Sequence, residues 1–468
     1  MAIMKINKLW AALLPVLVCV QTQGKPLQDE LLNVLTDHPL IRANRHATDA
    51  ARERVGAAEA ANLPRLSLTG DGGLESIRST SYRPSQTMEL GSDGVVTPGT
   101  SSDLIRRKVG VSVEQVVYDG GRNRAAVDLA TADVSMQGLN LQSLTQDLLL
   151  EALTAYLQVG RYQTLIGLSR LNEDTTRNQL ELESKRVEGG GGIAVDVMQA
   201  RTRLQIVKER RVFYEQALRD AMANYEQTFG RAPDIAQLQD LGIFQAGLPA
   251  SLPEALNLGL NQSPRLKLSA MQISKAGDQI LAARAGGGPV VDLVGARNYD
   301  RGANATAKRD DYSMLLRLNW SFSAGNENDH RVSAALKDKD ELMERDVAQR
   351  NKVREAIRVS WNQLVNGRER LELLDSAAGI ARDVMLNRKR LRDAGKETAL
   401  SALDAEVEYF GVLANKINAM YDTRIGAYRL MAAVGGLTPE AVGLGNGFKL
   451  PVQPLKVDLQ AIAGQGLH

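Results

Sequence analysis

Few residues in this 468-residue sequence could do chemistry, and their spacing argues against most kinds. There is one cysteine, Cys19, and there are four histidines: His38, His46, His330 and His468. His38 and His46 stand eight apart with no cysteine or carboxylate-rich motif beside them. A zinc or iron site gathers three or four such ligands, so no metal or other cofactor is expected and the histidines read as surface residues. No recognisable nucleophile or hydrolase motif is present, so no enzymatic activity is expected. What draws the eye is "RVEGGGGIAVDVMQAR", with glycine at Gly189, Gly190, Gly191 and Gly192. A phosphate-binding loop needs a strand before it and Gly-Lys-Ser/Thr at its end. Here Ile193 and Ala194 follow, and a helical pattern precedes. A linker or a tight turn remains. The apolar periodicity on both sides favours a turn of one helix back onto another, since glycine reaches backbone angles closed to other residues and caps helices.

The elements that must hold such a turn are long. Proline is missing from 99–232 and again from 290–438. Because proline inside a helix costs about 3 kcal/mol, these gaps predict long uninterrupted helices at 122–187 and 326–392, with return helices at 194–229 and 398–434. At 1.5 Å per residue each long helix would run about 100 Å. In the first, Leu141, Leu144, Leu148, Ala152, Ala155, Val159, Tyr162 and Ile166 step by threes and fours. That pattern predicts a narrow coiled-coil seam.

The chain is written twice. Glu30 to Gly70 aligns with Glu254 to Gly295: Pro39 with Pro264, Ile41 with Leu266, Val55 with Ile280, and Pro64 with Pro289. At a second constant offset Val111 matches Leu316, Gly120 matches Gly325, Tyr156 matches Trp361 and Ala200 matches Ala405. The offset changes between the strands of the first half, where a longer loop is expected within 71–106. The expected division is a first repeat at 25–235, a connection at 236–251, a second repeat at 252–437 and a C-terminal extension at 438–468, its last residues disordered.

Short strands flank the helices. "YSMLLRLNWSF" puts Tyr312, Met314, Leu316, Leu318, Trp320 and Phe322 on one face, against Ser313, Arg317, Asn319 and Ser321, with Leu315 the exception. Its counterpart alternates Val109, Val111 and Val113 with Lys108, Gly110, Ser112 and Glu114. The predicted strands lie near 64–70, 107–117, 289–298 and 312–322. Two hairpins make a poor soluble domain, whereas strands of 9–11 residues suit a membrane barrel. Four strands per chain fall short of the smallest barrels, which have about eight, and open edges are not tolerated in lipid. Several copies must therefore pool their strands; three would give twelve.

The N-terminus has the order of a secretory leader: Lys5 and Lys8, the apolar run from Leu9 to Val20, then Gln21 to Gly24. Cleavage near Gly24 would remove residues 1–24 and leave no cysteine. Net charge is only +2, with 24% charged residues, which gives no electrostatic case for a nucleic-acid partner.

With "LLNVLTDHPLIRA" and its repeat "ALNLGLNQSPRLKLSA", with "ANLPRLSL", "EQVVYDGGRNRAAVDLA" and the glycine-run motif, the chain resembles the TolC family of outer-membrane efflux and secretion channels. The resemblance covers nearly all of the mature length. It implies an α+β, mainly helical, internally duplicated fold in which long antiparallel coiled-coil helices form a periplasmic α-barrel. Two β-hairpins per chain would join a trimeric 12-stranded outer-membrane β-barrel. It implies a homotrimer in outer-membrane lipid, extending into the periplasm. The partners it implies are a periplasmic adaptor (membrane fusion protein) and an inner-membrane ABC or proton-driven transporter. The duct itself catalyses nothing.

In the family the glycine run is the periplasmic tip, and Gly395 matches Gly190 in the second half. Two aspartates one helical turn apart line the constriction in family members. The resemblance carries one of them to Asp404, while Ser401 stands at the other position. Glu397 occupies a place where other members put different polar groups, and Asp196 is expected to cap its helix or face the pore. A solvated helix-start aspartate is the plainer reading of Asp404. The glycine run and the Asn/Gly-rich loops lean towards type I protein secretion, with multidrug efflux as the alternative. A soluble periplasmic coiled-coil adaptor is the rival from another class, and the four alternating strands count against it.

Overall fold

Each half of the chain runs helix, helix, hairpin, long helix, return helix. The computed structural model describes residues 27–78, 81–82, 96–97, 101–243, 247–301, 308–444 and 452–454. The expected leader with Cys19, the loop motif "GSDGVVTPGTSSD" for the most part, and the tail after 454 lie outside the described residues. The first half comprises α1 (Leu27–Asp37), α2 (Pro39–Ala60), β1 (Arg65–Arg78), the two-residue strands β2 (Ser81–Tyr82) and β3 (Val96–Thr97), β4 (Ser101–Tyr118), α3 (Arg122–Glu188), α4 (Ala194–Phe229) and β5 (Gln239–Leu241). The second comprises α5 (Leu252–Gln262), α6 (Pro264–Gly286), β6 (Val290–Arg301), β7 (Lys308–Asn319), α7 (Glu327–Asp393), α8 (Ala399–Ala433) and β8 (Val452–Pro454).

α3 and α7 are each 67 residues long, which is about 100 Å of helix. The start of α3 is set by "YDGG". Gly120 and Gly121 take φ of +68° and +92°, and the Asp119 carboxylate accepts from the Gly121 and Asn123 N–H groups at 2.9 and 2.7 Å. Arg122 then donates to the Ala285 and Gly286 carbonyls at the end of α6, at 3.0 and 2.5 Å. The two halves are thus fastened together where strands give way to helices. His38 acts as a cap for α2, its Nδ1 accepting from the Leu40 N–H at 3.3 Å.

The predicted narrow seam of α3 is too narrow. Around the middle of the helix, Leu148, Leu149, Leu153, Tyr156, Leu157, Leu165 and Leu168 are buried together with Ala152, Val159 and Ile166. The reason is company: α3 packs against α1, α2, α4, α6 and α8, so several of its faces are covered. Here β5 pairs antiparallel with β8, bringing the inter-repeat connection and the C-terminal extension side by side. Tyr156 OH donates to the Gln239 carbonyl at 3.0 Å and accepts from its N–H at 2.7 Å. Arg424 grips the Asp240 carboxylate, and Tyr428 OH donates to the Gly242 carbonyl at 2.8 Å. These bonds fix the connection to the waist of the helical column.

The four long strands form one antiparallel sheet in the order β1-β4-β6-β7. Two corrections to the sequence reading arise here. The first hairpin is longer than expected, because β1 continues through Gly70, Gly72 and Gly73 to Arg78 and pairs with β4 from Ser101 onwards. Glycine contributes no side chain to an alternating pattern, so that part of the strand left no signal. In the second hairpin β7 stops at Asn319, and Trp320 and Phe322 follow it as a ring pair with centroids 4.6 Å apart.

The register separates the two faces of the sheet. One carries Leu66 and Leu68 opposite Val113 and Val111, and Leu293 opposite Leu316. Tyr312 is 89% and Leu316 71% exposed. The other carries Ser67 and Ser112, whose hydroxyls meet at 2.6 Å, and the pair Glu114–Arg317 at 3.6 Å. An open apolar face of this size on a single chain marks a surface that meets another phase or protein. From Tyr312 to Leu318, at about 3.4 Å per residue and a tilt of about 40°, the apolar strip on β7 is roughly 15 Å tall, and Trp320 and Phe322 carry it past the strand end towards the ~25 Å of a membrane-barrel belt. Aromatic residues stand at both ends of it, as such belts require.

Candidate functional site

At the end of the column away from the sheet, two helical hairpins turn. The turns are built alike. In the first, Gly190 takes φ of +76°, its N–H donates to the Val187 carbonyl at 3.0 Å, and the Gly191 N–H donates to the Arg186 carbonyl at 2.9 Å. In the second, Gly395 takes φ of +69°, its N–H donates to the Arg392 carbonyl at 2.9 Å, and the Lys396 N–H donates to the Leu391 carbonyl at 2.9 Å. Both are Schellman stops, with glycine at the one left-handed position. Of the four consecutive glycines, only Gly190 needs that conformation. Gly192 has a different constraint: a Cβ there would lie 2.9 Å from Val187 Cγ2.

The polar residues singled out from the sequence are spread among separate contacts. Thr398 caps α8, its Oγ1 accepting from the Ser401 N–H at 3.3 Å and lying 2.9 Å from the Ser401 hydroxyl. Ser401 is therefore occupied in a cap. Glu397 accepts from Arg388 Nη1 at 2.8 Å, which holds the turn against α7. Asp196 sits in the first turn of α4, where the capping residue is Ile193 and no side chain makes the cap bond. Asp196 comes three residues after Ile193, in the first turn, where its charge complements the helix dipole. Asp404, the sixth residue of α8, accepts from Arg203 Nη2 on α4 at 2.6 Å. It is no helix-start residue, and it is not a bare carboxylate.

Sequence reading missed the buried polar residues behind this tip. Arg392, only 5% exposed, donates to Gln179 on α3 and to Asp393 at 2.6 Å. Glu406, also 5% exposed, has no hydrogen-bond partner at Oε1. Burial pushes its carboxyl up to about 7, with Lys389 and Arg392 pulling the other way. Further up, Glu173 on α3 accepts from Arg177 and from Arg211 on α4, each at 2.7 Å. Burial opposes the Glu173 charge, yet the Arg211 bond and its neighbours outweigh it and hold the carboxyl below its usual range. The only signal in the sequence was a set of charged residues at helix-seam positions, which solvated faces also show.

Nothing in this tip arranges a nucleophile against a base. Among the described residues no group of three or more His, Cys, Asp or Glu gathers as for a metal ion, and no described helix is long and apolar enough to cross a membrane. What the arrangement offers is a column of packed helices ending in charged turns, joined to a sheet with an exposed apolar face. That is the class of channel proteins built from strands in a bilayer and helices outside it.

The comparisons name the family. The Outer membrane efflux protein family matches residues 31–231 and 255–436, and the chain belongs to it. It is 26% identical to the outer membrane efflux protein BepC of Brucella suis over 79% of this chain and 80% of the relative. It is 25% identical to the outer membrane protein TolC of Vibrio cholerae, covering 90% and 91%. It is 23% identical to the alkaline protease secretion protein AprF of Pseudomonas aeruginosa, covering 86% and 83%. Among solved structures the fold matches the CusC channel with a TM-score of 0.75 at 14% identity, over 88% of this chain and 92% of that one. The chain is thus an outer-membrane efflux conduit rather than an enzyme, and channels of its family are trimers that work with adaptors and inner-membrane transporters.

Proposed function

We propose that three copies of this chain close a twelve-stranded barrel and a helical tunnel, and that the duct serves type I protein secretion. The observation that carries the trimer is the pair of free edges. β1 and β7 each have one partner in the sheet, and in lipid every strand N–H and C=O needs one. β7 of one copy against β1 of the next satisfies all edges at once. The lean to secretion rests on likeness to a protein named for alkaline protease secretion and on the glycine-rich tip. The partners are a periplasmic adaptor and an inner-membrane ABC transporter, with Asp404, Ser401, Glu397 and Asp196 near the closed end. Adaptor binding shifts the tip hairpins apart, a change between two packings of the same coiled coils.

Two measurements test this. The purified protein is expected to fractionate with outer membranes and to run as a detergent-stable trimer; a water-soluble monomer removes the reading. Deletion of the gene is expected to abolish export of a protein cargo. Intact protein export with new sensitivity to small amphiphilic drugs would give the multidrug-efflux alternative instead.

A further inference from the structure

The sheet register sets two arginines side by side in one row. Arg107 on β4 stands opposite Arg301 on β6, and the row continues to position 308 on β7. By alternation the row belongs to the apolar face: Arg107 is two residues from Val109, and Arg301 is two from Tyr299. Like charges directly opposite on neighbouring strands destabilise a sheet, so such a row calls for a counter-charge.

The chain supplies one elsewhere on this face. Arg297 donates to both Asp310 oxygens, at 3.1 and 2.9 Å. Arg107 and Arg301 are exposed, and neither has an ion pair or side-chain hydrogen bond among the described residues. Beside Arg107 the register partner on β1 is Gly72, and a Cβ at Gly70 or Gly72, both on this face, would meet nothing within 4 Å. The row is therefore flanked by an open strip.

Its height is defined too. It lies four residues beyond Tyr312 towards the hairpin ends, on the side away from the helices. That is roughly 10 Å past the upper aromatic end of the apolar belt. Leu74 and Ile105, both exposed, come one step further out and keep the boundary apolar around Arg107. With the helices in the periplasm, the row faces the outer leaflet at headgroup level.

We propose that this row is a binding site for a phosphorylated lipid headgroup of the outer leaflet, one phosphate bridging the Arg107 and Arg301 guanidiniums. Planar guanidinium forks match phosphate oxygens in pairs, and the lipid's acyl chains would lie down the strip of Leu68, Val111 and Met314. The inference rests on the barrel reading above.

Native mass spectrometry of the detergent-extracted trimer tests it, with three probes: a bisphosphorylated diglucosamine lipid, the same lipid dephosphorylated, and inorganic phosphate. The phosphorylated lipid is expected to bind at concentrations at least tenfold lower than the dephosphorylated one. Arg107→Gln with Arg301→Gln is expected to bring that preference close to one. Equal binding of the two lipids by the unaltered protein overturns the proposal without any variant. Full displacement by millimolar inorganic phosphate overturns the lipid assignment in favour of a free-anion site. Membrane fractionation of the same preparation separates the two readings: a protein found outside the membrane defeats the barrel and this site together, while a membrane trimer without lipid preference defeats the site alone.

Discussion

Arg203 on α4 donates to the Asp404 carboxylate on α8 at 2.6 Å, tying one helical hairpin of the tip to the other. Both side chains keep solvent access, 33% and 54%, so the pair contributes at most about 1 kcal/mol. Its weight lies in charge. A three-fold ring of bare carboxylates attracts cations, whereas a ring of carboxylates each facing a guanidinium does so much less. Asp404→Ala is expected to raise basal conductance or weaken cation block in planar bilayers. Arg203→Ala, which bares the carboxylate, is expected to strengthen cation block. Unchanged currents in both variants would remove Asp404 from the gate and leave the fold intact.

The two turns give a sharper test of why glycine is there. Gly190 and Gly395 take left-handed backbone angles, where a side chain costs about 1–2 kcal/mol. Gly190→Ala and Gly395→Ala should each lower the thermal midpoint of the trimer. Gly189, with φ of −80°, should accept alanine with no loss. Calorimetry of the three single variants checks the order, and equal effects at Gly189 and Gly190 would contradict it.

Glu406 makes the tip sensitive to pH. Its carboxyl is raised from 4.5 to about 7 by burial. A raised carboxyl holds its proton more tightly folded than unfolded, so its ionisation penalty is absent below about pH 4.5. The penalty grows as pH rises to about 7, at about 1.4 kcal/mol per pH unit. Over that window the loss is of order 3 kcal/mol, smaller if water enters the site. Glu406→Gln is expected to flatten this part of the stability profile and to be the more stable form at pH 8. Denaturant titrations at pH 5 and pH 8 read it. A wild-type profile that rises with pH as steeply as that of the Gln variant would show the carboxyl to be solvated.

How much of this could be read from the chain depends on what each residue shows its neighbours. Strand β7 was legible because Tyr312, Met314, Leu316 and Leu318 alternate cleanly, and the tip turn because glycine interrupts two helical patterns. The outer half of β1 was not, since Gly70, Gly72 and Gly73 have no side chain to alternate. Periodicity makes the middle of α3 look like a narrow seam because it counts apolar residues on one face, while α1, α2, α4, α6 and α8 cover the others. The partner of Asp404 was invisible for another reason. Arg203 is one of several arginines on α4, and only the packing of the hairpins selects it.

Leu316 offers the most direct test of the sheet's surroundings. It is 71% exposed near the middle of the apolar belt, with Leu293 opposite it in the register. In water, an exposed leucine changed to arginine on a strand surface is close to neutral. At a bilayer midplane the same change costs about 2–4 kcal/mol, and a trimer carries it three times. Leu316→Arg is therefore expected to block insertion or assembly of the detergent-stable trimer. Ser313→Arg, three residues away on the polar face, is expected to assemble normally. Gel mobility before and after heating distinguishes the outcomes, and equal assembly of the two variants would mean that the apolar face does not meet lipid.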